Sequence, residues 1–139
     1  MFNKIFKKVK KEDGQSFVEL AIALPVLLLI LGGIIDFGWI FTNQNIVDHL
    51  AREGARYAIV NSTVANATTV IRTYTKNLAP ANIRDSLTVN ITFSNTFNPR
   101  LGDVTVEVLG VVDVLTPITG VFTNGQTINL DSSCRMKVE

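Results

Sequence analysis

Leu20 to Ile35 reads LAIALPVLLLILGGII, sixteen consecutive residues without a charge. A helix needs about 17–25 apolar residues to cross a bilayer, and the flanks supply the difference. Phe17 and Val18 precede the run, while Phe37, Trp39, Ile40 and Phe41 follow it. A helix from Gln15 to Ile35 is about 31 Å long at about 1.5 Å per residue, close to the thickness of the hydrocarbon core. The expected span is 17–37, with Trp39 at the membrane–water boundary, where amphipathic rings collect. Pro25 is a kink position within it, tolerated in a membrane when neighbouring groups satisfy the freed carbonyl.

The charges on either side give the span a direction. Residues 1–13 hold Lys4, Lys7, Lys8, Lys10 and Lys11 against Glu12 and Asp13, whereas the first cation beyond the run is Arg52. Positive-inside bias places residues 1–13 in the cytoplasm and the C-terminal module on the other side of the membrane. A cleaved secretory signal has the same outline, but no small-x-small site follows the run, and Ala21 and Ala23 stand at its wrong end. Two acids bound the run. Asp36 sits near the outer interface, where a carboxylate reaches water. Glu19 sits at the inner end, where it either reaches the headgroups or meets a partner, since ionised groups in membrane helices are costly alone.

The rest of the chain bounds what can be attached to such a helix. At 139 residues, 47% hydrophobic and 18% charged, with a net charge of +1, it has room for one small domain and an appendage. A mostly disordered chain and a nucleic-acid-coating one are both excluded. The single Cys excludes an internal disulfide and a cysteine zinc cluster, and the single His a multi-histidine metal site.

Beyond the membrane, Phe37, Ile40, Phe41, Val47, Ala51, Ala55 and Ala58 recur at steps of three and four, which predicts that the helix continues to about Val60. Asp48 and Arg52 stand four apart on it in the favourable order. Val70, Ile71, Tyr74 and Leu78 predict a short helix over 66–79, stopped by Pro80. The period then drops to two. Leu87–Ser94 alternates apolar and polar; Val104, Val106, Val108, Val112 and Val114 share one face of a second strand over 103–115; and Ile128, Leu130, Cys134, Met136 and Val138 share one face of a third over 127–138. Asn98-Pro-Arg-Leu-Gly102 supplies a turn, and 115–126 a longer loop with Asn124-Gly125 near its end and apolar Ile118, Val121 and Phe122 within it. The fold class is α+β: a long N-terminal membrane helix continuing into a small module with a short helix and an antiparallel sheet of about three strands. The expected divisions are 1–14, 15–60 and 61–139.

Chemistry is sparse. His49 is a lone polar residue on a helix, and Cys134 fits either inert packing or an intermolecular disulfide. No phosphate loop, paired catalytic carboxylates or serine–histidine set can be assembled, so no enzyme, cofactor, metal or small-molecule substrate is expected. Sequons begin at Asn61, Asn66 and Asn90, a number that chance supplies in a chain so rich in Asn, Ser and Thr. Basic residues outside the leader are scattered and not interleaved with aromatics, which speaks against a nucleic-acid surface. Arg52, Glu53, Gly54, Arg56 and Tyr57 read either as a subunit interface, with Gly54 admitting close helix approach, or as a solvated face with ordinary charge pairs.

The junction EDGQSFVEL at 12–20 places a glycine, then a glutamate five positions later, between a Lys-rich leader and the apolar run. It resembles the processing site of type IV prepilins. Leu50–Ala58, LAREGARYA, and the C-terminal TINLDSSCRMKVE at 127–139 resemble TadE/TadG-like proteins. The resemblance implies a pilin-like minor pilin or pseudopilin of a tight-adherence (Tad/Flp) pilus. It also implies a cut by prepilin peptidase between Gly14 and Gln15, and an assembly role for Glu19. Membrane lipid, the peptidase, other pilin subunits and the Tad machinery are then the partners. An aromatic commonly follows that glutamate in the family; here it is Leu20. Physically, a cut after Gly14 frees an α-amine on Gln15, and such amines titrate near about pH 8. An ammonium and a carboxylate meeting between adjacent subunits screen each other where each alone is costly. The alternative is an uncleaved, single-pass envelope scaffold or ligand-binding module.

Overall fold

The computed structural model describes residues 2–95, 98, 102–116 and 127–138, with side chains from residue 14 onward. Helix α1 runs unbroken over Phe2–Asn61, about 90 Å at about 1.5 Å per residue. It begins well before Gln15 because the leader contains no Pro and its first Gly is Gly14. It also passes through Pro25.

Helix α1 ends at Asn61, whose side-chain amide donates to the Tyr57 carbonyl at 3.0 Å. After a turn in which Asn66 is left-handed (φ 61°), α2 covers Ala67–Leu78. Pro80 stops α2 by forcing the preceding Ala79 into an extended conformation (ψ 139°). It then serves as the N-cap of a further single turn, α3 at Ala81–Arg84. Apolar periodicity gave no sign of α3, because only Ile83 of its four residues is buried.

Strands β1 (Thr88–Phe93), β2 (Gly102–Asp113) and β3 (Thr127–Val138) form an antiparallel meander with β2 in the centre. The three strands follow the period-two stretches of the sequence closely. The expected turn at Asn98–Gly102 is described only at Asn98 and Gly102; the greater part of the 115–126 loop, with Ile118, Val121, Phe122 and Asn124-Gly125, lies outside the described residues.

One face of the sheet is apolar and lies on the outer half of α1. Val104, Val106 and Val108 are fully buried there, with Val112, Leu130 and Val138 almost so, and burying each such side chain stabilises the fold by about 1.5–3 kcal/mol. Cys134, opposite Val106, is half-buried and packs at the edge of this core as a free thiol. From α1 the face comprises Val47, Leu50, Ala51, Ala55 and Ala58. Phe37 and Phe41, expected on that face, are instead 70% and 60% exposed and stack on each other with ring centroids 6.3 Å apart. The rungs they were expected to fill belong to Asp36 and Asn43, which are polar and buried. On α2 the buried positions are Ile71 and Thr75, while Leu78 is 45% exposed.

Both outer strands of the sheet receive a helix side chain on their backbone. Arg72 of α2 donates Nε to the Val89 carbonyl of β1 at 3.0 Å, and Gln44 of α1 donates Nε2 to the Asp131 carbonyl of β3 at 2.9 Å. Such contacts satisfy carbonyls that no further strand covers.

Small residues let α1 approach closely. A Cβ added at Gly54 would stand 2.7 Å from Thr75 Oγ1 and 3.1 Å from Val106 Cγ1. Thr75 is buried and its hydroxyl is committed to the Ile71 carbonyl, so it has little room to yield. Gly38, on the same helix, has nothing within 4 Å of its added Cβ. The same substitution therefore has opposite signs at the two sites. Gly54→Ala is expected to destabilise by about 1–3 kcal/mol through overpacking. Gly38→Ala is expected to stabilise by up to about 1 kcal/mol through helix propensity. Thermal melts of the full-length protein in detergent check this, and a Gly54→Ala melt at or above the Gly38→Ala melt would contradict the packing described.

Candidate functional site

The sequence-selected residues occupy two places on α1. Gly14, Gln15 and Glu19 are all exposed, and the Gly14–Gln15 peptide bond lies inside continuous helix. From Phe17 to Leu31 every side chain is exposed, so nothing in the module covers this stretch. An 18-residue window of the helix over Gly14–Asn61 reaches a mean hydropathy of 2.6 while being only 6% buried. It is long and apolar enough to cross a membrane, and it is uncovered, unlike the core helix of a soluble protein.

The second group, Arg52, Glu53, Gly54, Arg56 and Tyr57, does not converge on one surface. Gly54 faces α2 and β2. Tyr57 stacks on Tyr74 of α2 with ring centroids 3.9 Å apart and planes 10° from parallel. Arg56 and Glu53 form a loose pair at 3.8 Å, with the arginine largely in solvent, an arrangement that contributes little to stability. Arg52 is exposed, and Asp48, its expected partner, accepts from Gln44 Nε2 at 3.2 Å. Most of the specificity in this stretch is thus spent within the chain, fitting α1 to its own module.

The residues that sequence reasoning missed lie lower, where α1 enters the module. Asp36 was expected to reach water, but it is fully buried. Its Oδ1 accepts the backbone N–H groups of Leu115 at 3.1 Å and Thr116 at 2.9 Å, and Oδ2 accepts the Thr116 hydroxyl. One turn on, Trp39 donates Nε1–H to the Asp113 carbonyl at 3.1 Å. Asn43, also buried, donates to the Trp39 carbonyl at 2.8 Å and accepts from Asn82 at 3.0 Å. These side chains fasten α3, the lower end of β2 and the residues just after it to α1. A usable signal existed: 36, 40, 43, 47, 50, 54 and 58 are successive rungs of one helix face, with acid and amide at two of them.

Among the described residues no group of three or more His, Cys, Asp or Glu comes together, and His49 lies exposed on a shallow groove with Phe41, Ile46 and Leu78. The arrangement is an uncovered apolar helix joined to a small sheet, and its glycine–alanine face is the one that the LAREGARYA stretch supplies.

Residues 14–56 match the family of TadE-like proteins. The match begins at Gly14, takes in the whole apolar run and the Asp36–Asn43 junction, and ends two residues after Gly54, so the α+β module beyond lies outside it. The matched segment is under a third of the chain, and it is there that the chain is similar to TadE-like proteins. Neither the curated proteins nor the solved structures yielded a match to the chain.

Removing the Asp36 carboxylate takes away the buried acceptor that the part-buried Leu115 and Thr116 N–H groups use. Asp36→Ala is therefore expected to cost about 2–4 kcal/mol, as for loss of hydrogen bonds to a charged group plus desolvated donors. Hydrogen exchange on the full-length protein checks it. Protection of the Leu115 and Thr116 amides should fall by orders of magnitude, and unchanged protection would show that the carboxylate does not hold this segment.

Proposed function

We propose that the protein is a minor pilin or pseudopilin of a Tad-type pilus, held in the membrane by α1 until assembly, with residues 1–13 cytoplasmic and the module extracytoplasmic. The observation that carries this is the uncovered apolar helix of a TadE-like segment whose match starts at Gly14. In this reading prepilin peptidase cuts between Gly14 and Gln15. The new α-ammonium of Gln15 then meets Glu19 of a neighbouring subunit, a pairing favoured where lone charges are poorly solvated. Glu19 is exposed on α1 and open to such a partner. Five lysines on one side of the apolar run support the orientation. The β module, joined to α1 through Asp36, Trp39 and Asn43, supplies the surface by which neighbours are chosen or the fibre is capped.

One observation favours a second reading, an uncleaved single-pass envelope protein. Helix α1 is continuous from Phe2 through Gly14, so the bond to be cut is not presented in extended form.

Intact mass and N-terminal sequencing separate the two, with the protein expressed beside its cognate prepilin peptidase. The expected mature N-terminus is Gln15 for the wild type and Met1 for Gly14→Ala. A wild-type chain beginning at Met1, while the peptidase processes another substrate, would overturn the processed-pilin reading.

A further inference from the structure

The uncharged run from Leu20 to Ile35 rises only about 24 Å as a helix, short of the about 30 Å of a bilayer's hydrocarbon core. Exposed apolar side chains nevertheless extend further in both directions. They run from Phe17, 73% exposed, to Phe41, 60% exposed, a rise of about 36 Å that exceeds the hydrocarbon and enters the interfacial layer. Asp36 stands inside that stretch, about 7.5 Å below Phe41 along the helix axis. An acid at that depth needs a solvating shell, and here water does not provide it, because Asp36 is fully buried and accepts from Leu115 and Thr116. The lower end of the module takes the place of water around the carboxylate.

That end is itself apolar on the outside. Leu115, whose backbone N–H is bonded to Asp36, leaves its side chain 57% exposed at the same level. With Ile34 and Ile35 at 63% and 55%, and Phe37 and Phe41 above them, it makes a collar of large exposed hydrophobics around the foot of the module. Left in water, such a collar is a liability. It is continuous with the exposed stretch below it, and it carries aromatics where membrane proteins carry them.

We propose that the foot of the module is seated in the outer interfacial layer of the bilayer, with Leu115 and Phe41 against lipid and the Asp36 level of α1 below the headgroups. This rests on reading α1 as a membrane span. The module is then a lipid-seated cap on its own helix, and the Asp36 latch sets how deep the helix rides.

The test uses the full-length protein in phosphatidylcholine vesicles, in a Cys134→Ser background. Single cysteines at Leu115, at Leu27 in mid-span and at Lys137, at the far end of β3, carry an environment-sensitive fluorophore. Nitroxide lipids labelled near the headgroup or deep in the acyl chain act as quenchers. Quenching of the Leu115 probe by shallow nitroxides is expected to be several-fold stronger than that of the Lys137 probe, with the Leu27 probe quenched by deep ones. A quenched Leu27 probe beside a Leu115 probe no more quenched than that at Lys137 leaves the span intact and overturns the seating. An unquenched Leu27 probe removes the span and the proposal together. Blue-shifted but unquenched emission at Leu115 means that a protein neighbour covers the collar, which also overturns it. Trp39, the single tryptophan, repeats the measurement without substitution, and its emission should be quenched by lipids brominated near the headgroup; an unquenched Trp39 counts against the seating.

Discussion

The sheet has one apolar face, and among the described residues the outer half of α1 is the long element that lies on it. Two short helices and three strands are too little chain to close a core of their own, as expected for so few residues. The module therefore depends on a helix whose other half is built for a different solvent. Every close contact between the two, from Gly54 against Thr75 and Val106 to Gln44 on the Asp131 carbonyl, ties the sheet to a rod that extends far beyond it.

Such a rod has to change character part-way along its length, and Asp36 marks the place. Below it, α1 presents apolar side chains all round; above it, one face is reserved for the sheet. A carboxylate at the transition would be unfavourable in lipid and unhelpful in a dry core unless it were fully bonded, and Leu115 and Thr116, just beyond β2, donate to it. Asn43 repeats the solution two rungs further out with an amide that both donates and accepts. Direction and fixed geometry distinguish these contacts from apolar packing, which tolerates sliding. Helix and module are thereby held together by directed bonds as well as by apolar packing.

The LAREGARYA stretch, whose first seven residues close the TadE-like match, has a different role in the fold from the one its composition suggests. LAREGARYA looks like an interface, and it is one, but its glycine and alanines are turned inward against the chain's own sheet and α2. Arg52 and Arg56 remain outside and available to neighbours. The TadE-like match covers this helix and not the module behind it, although the helix face is shaped by the module.

The apolar run, the charge asymmetry around it and the period-two valines determine by themselves that the chain has a membrane-capable helix and three strands. These signals are local, arising from hydrophobicity, from charge and from the alternation of side chains along a strand. Strand limits were legible to within a residue or two for the same reason. Which rungs of α1 meet the sheet was decided only by tertiary structure. A periodicity reading counts apolar residues, so it placed Phe37 and Phe41 inside and Asp36 outside; the fold reverses both, because Asp36 finds its donors 79 and 80 residues away, just beyond β2. Gly54 shows the same limit, since its lack of a side chain acquires a reason only when Thr75 and Val106 arrive opposite it. Partners so distant in sequence leave no local periodicity, and the chain has to fold before they meet.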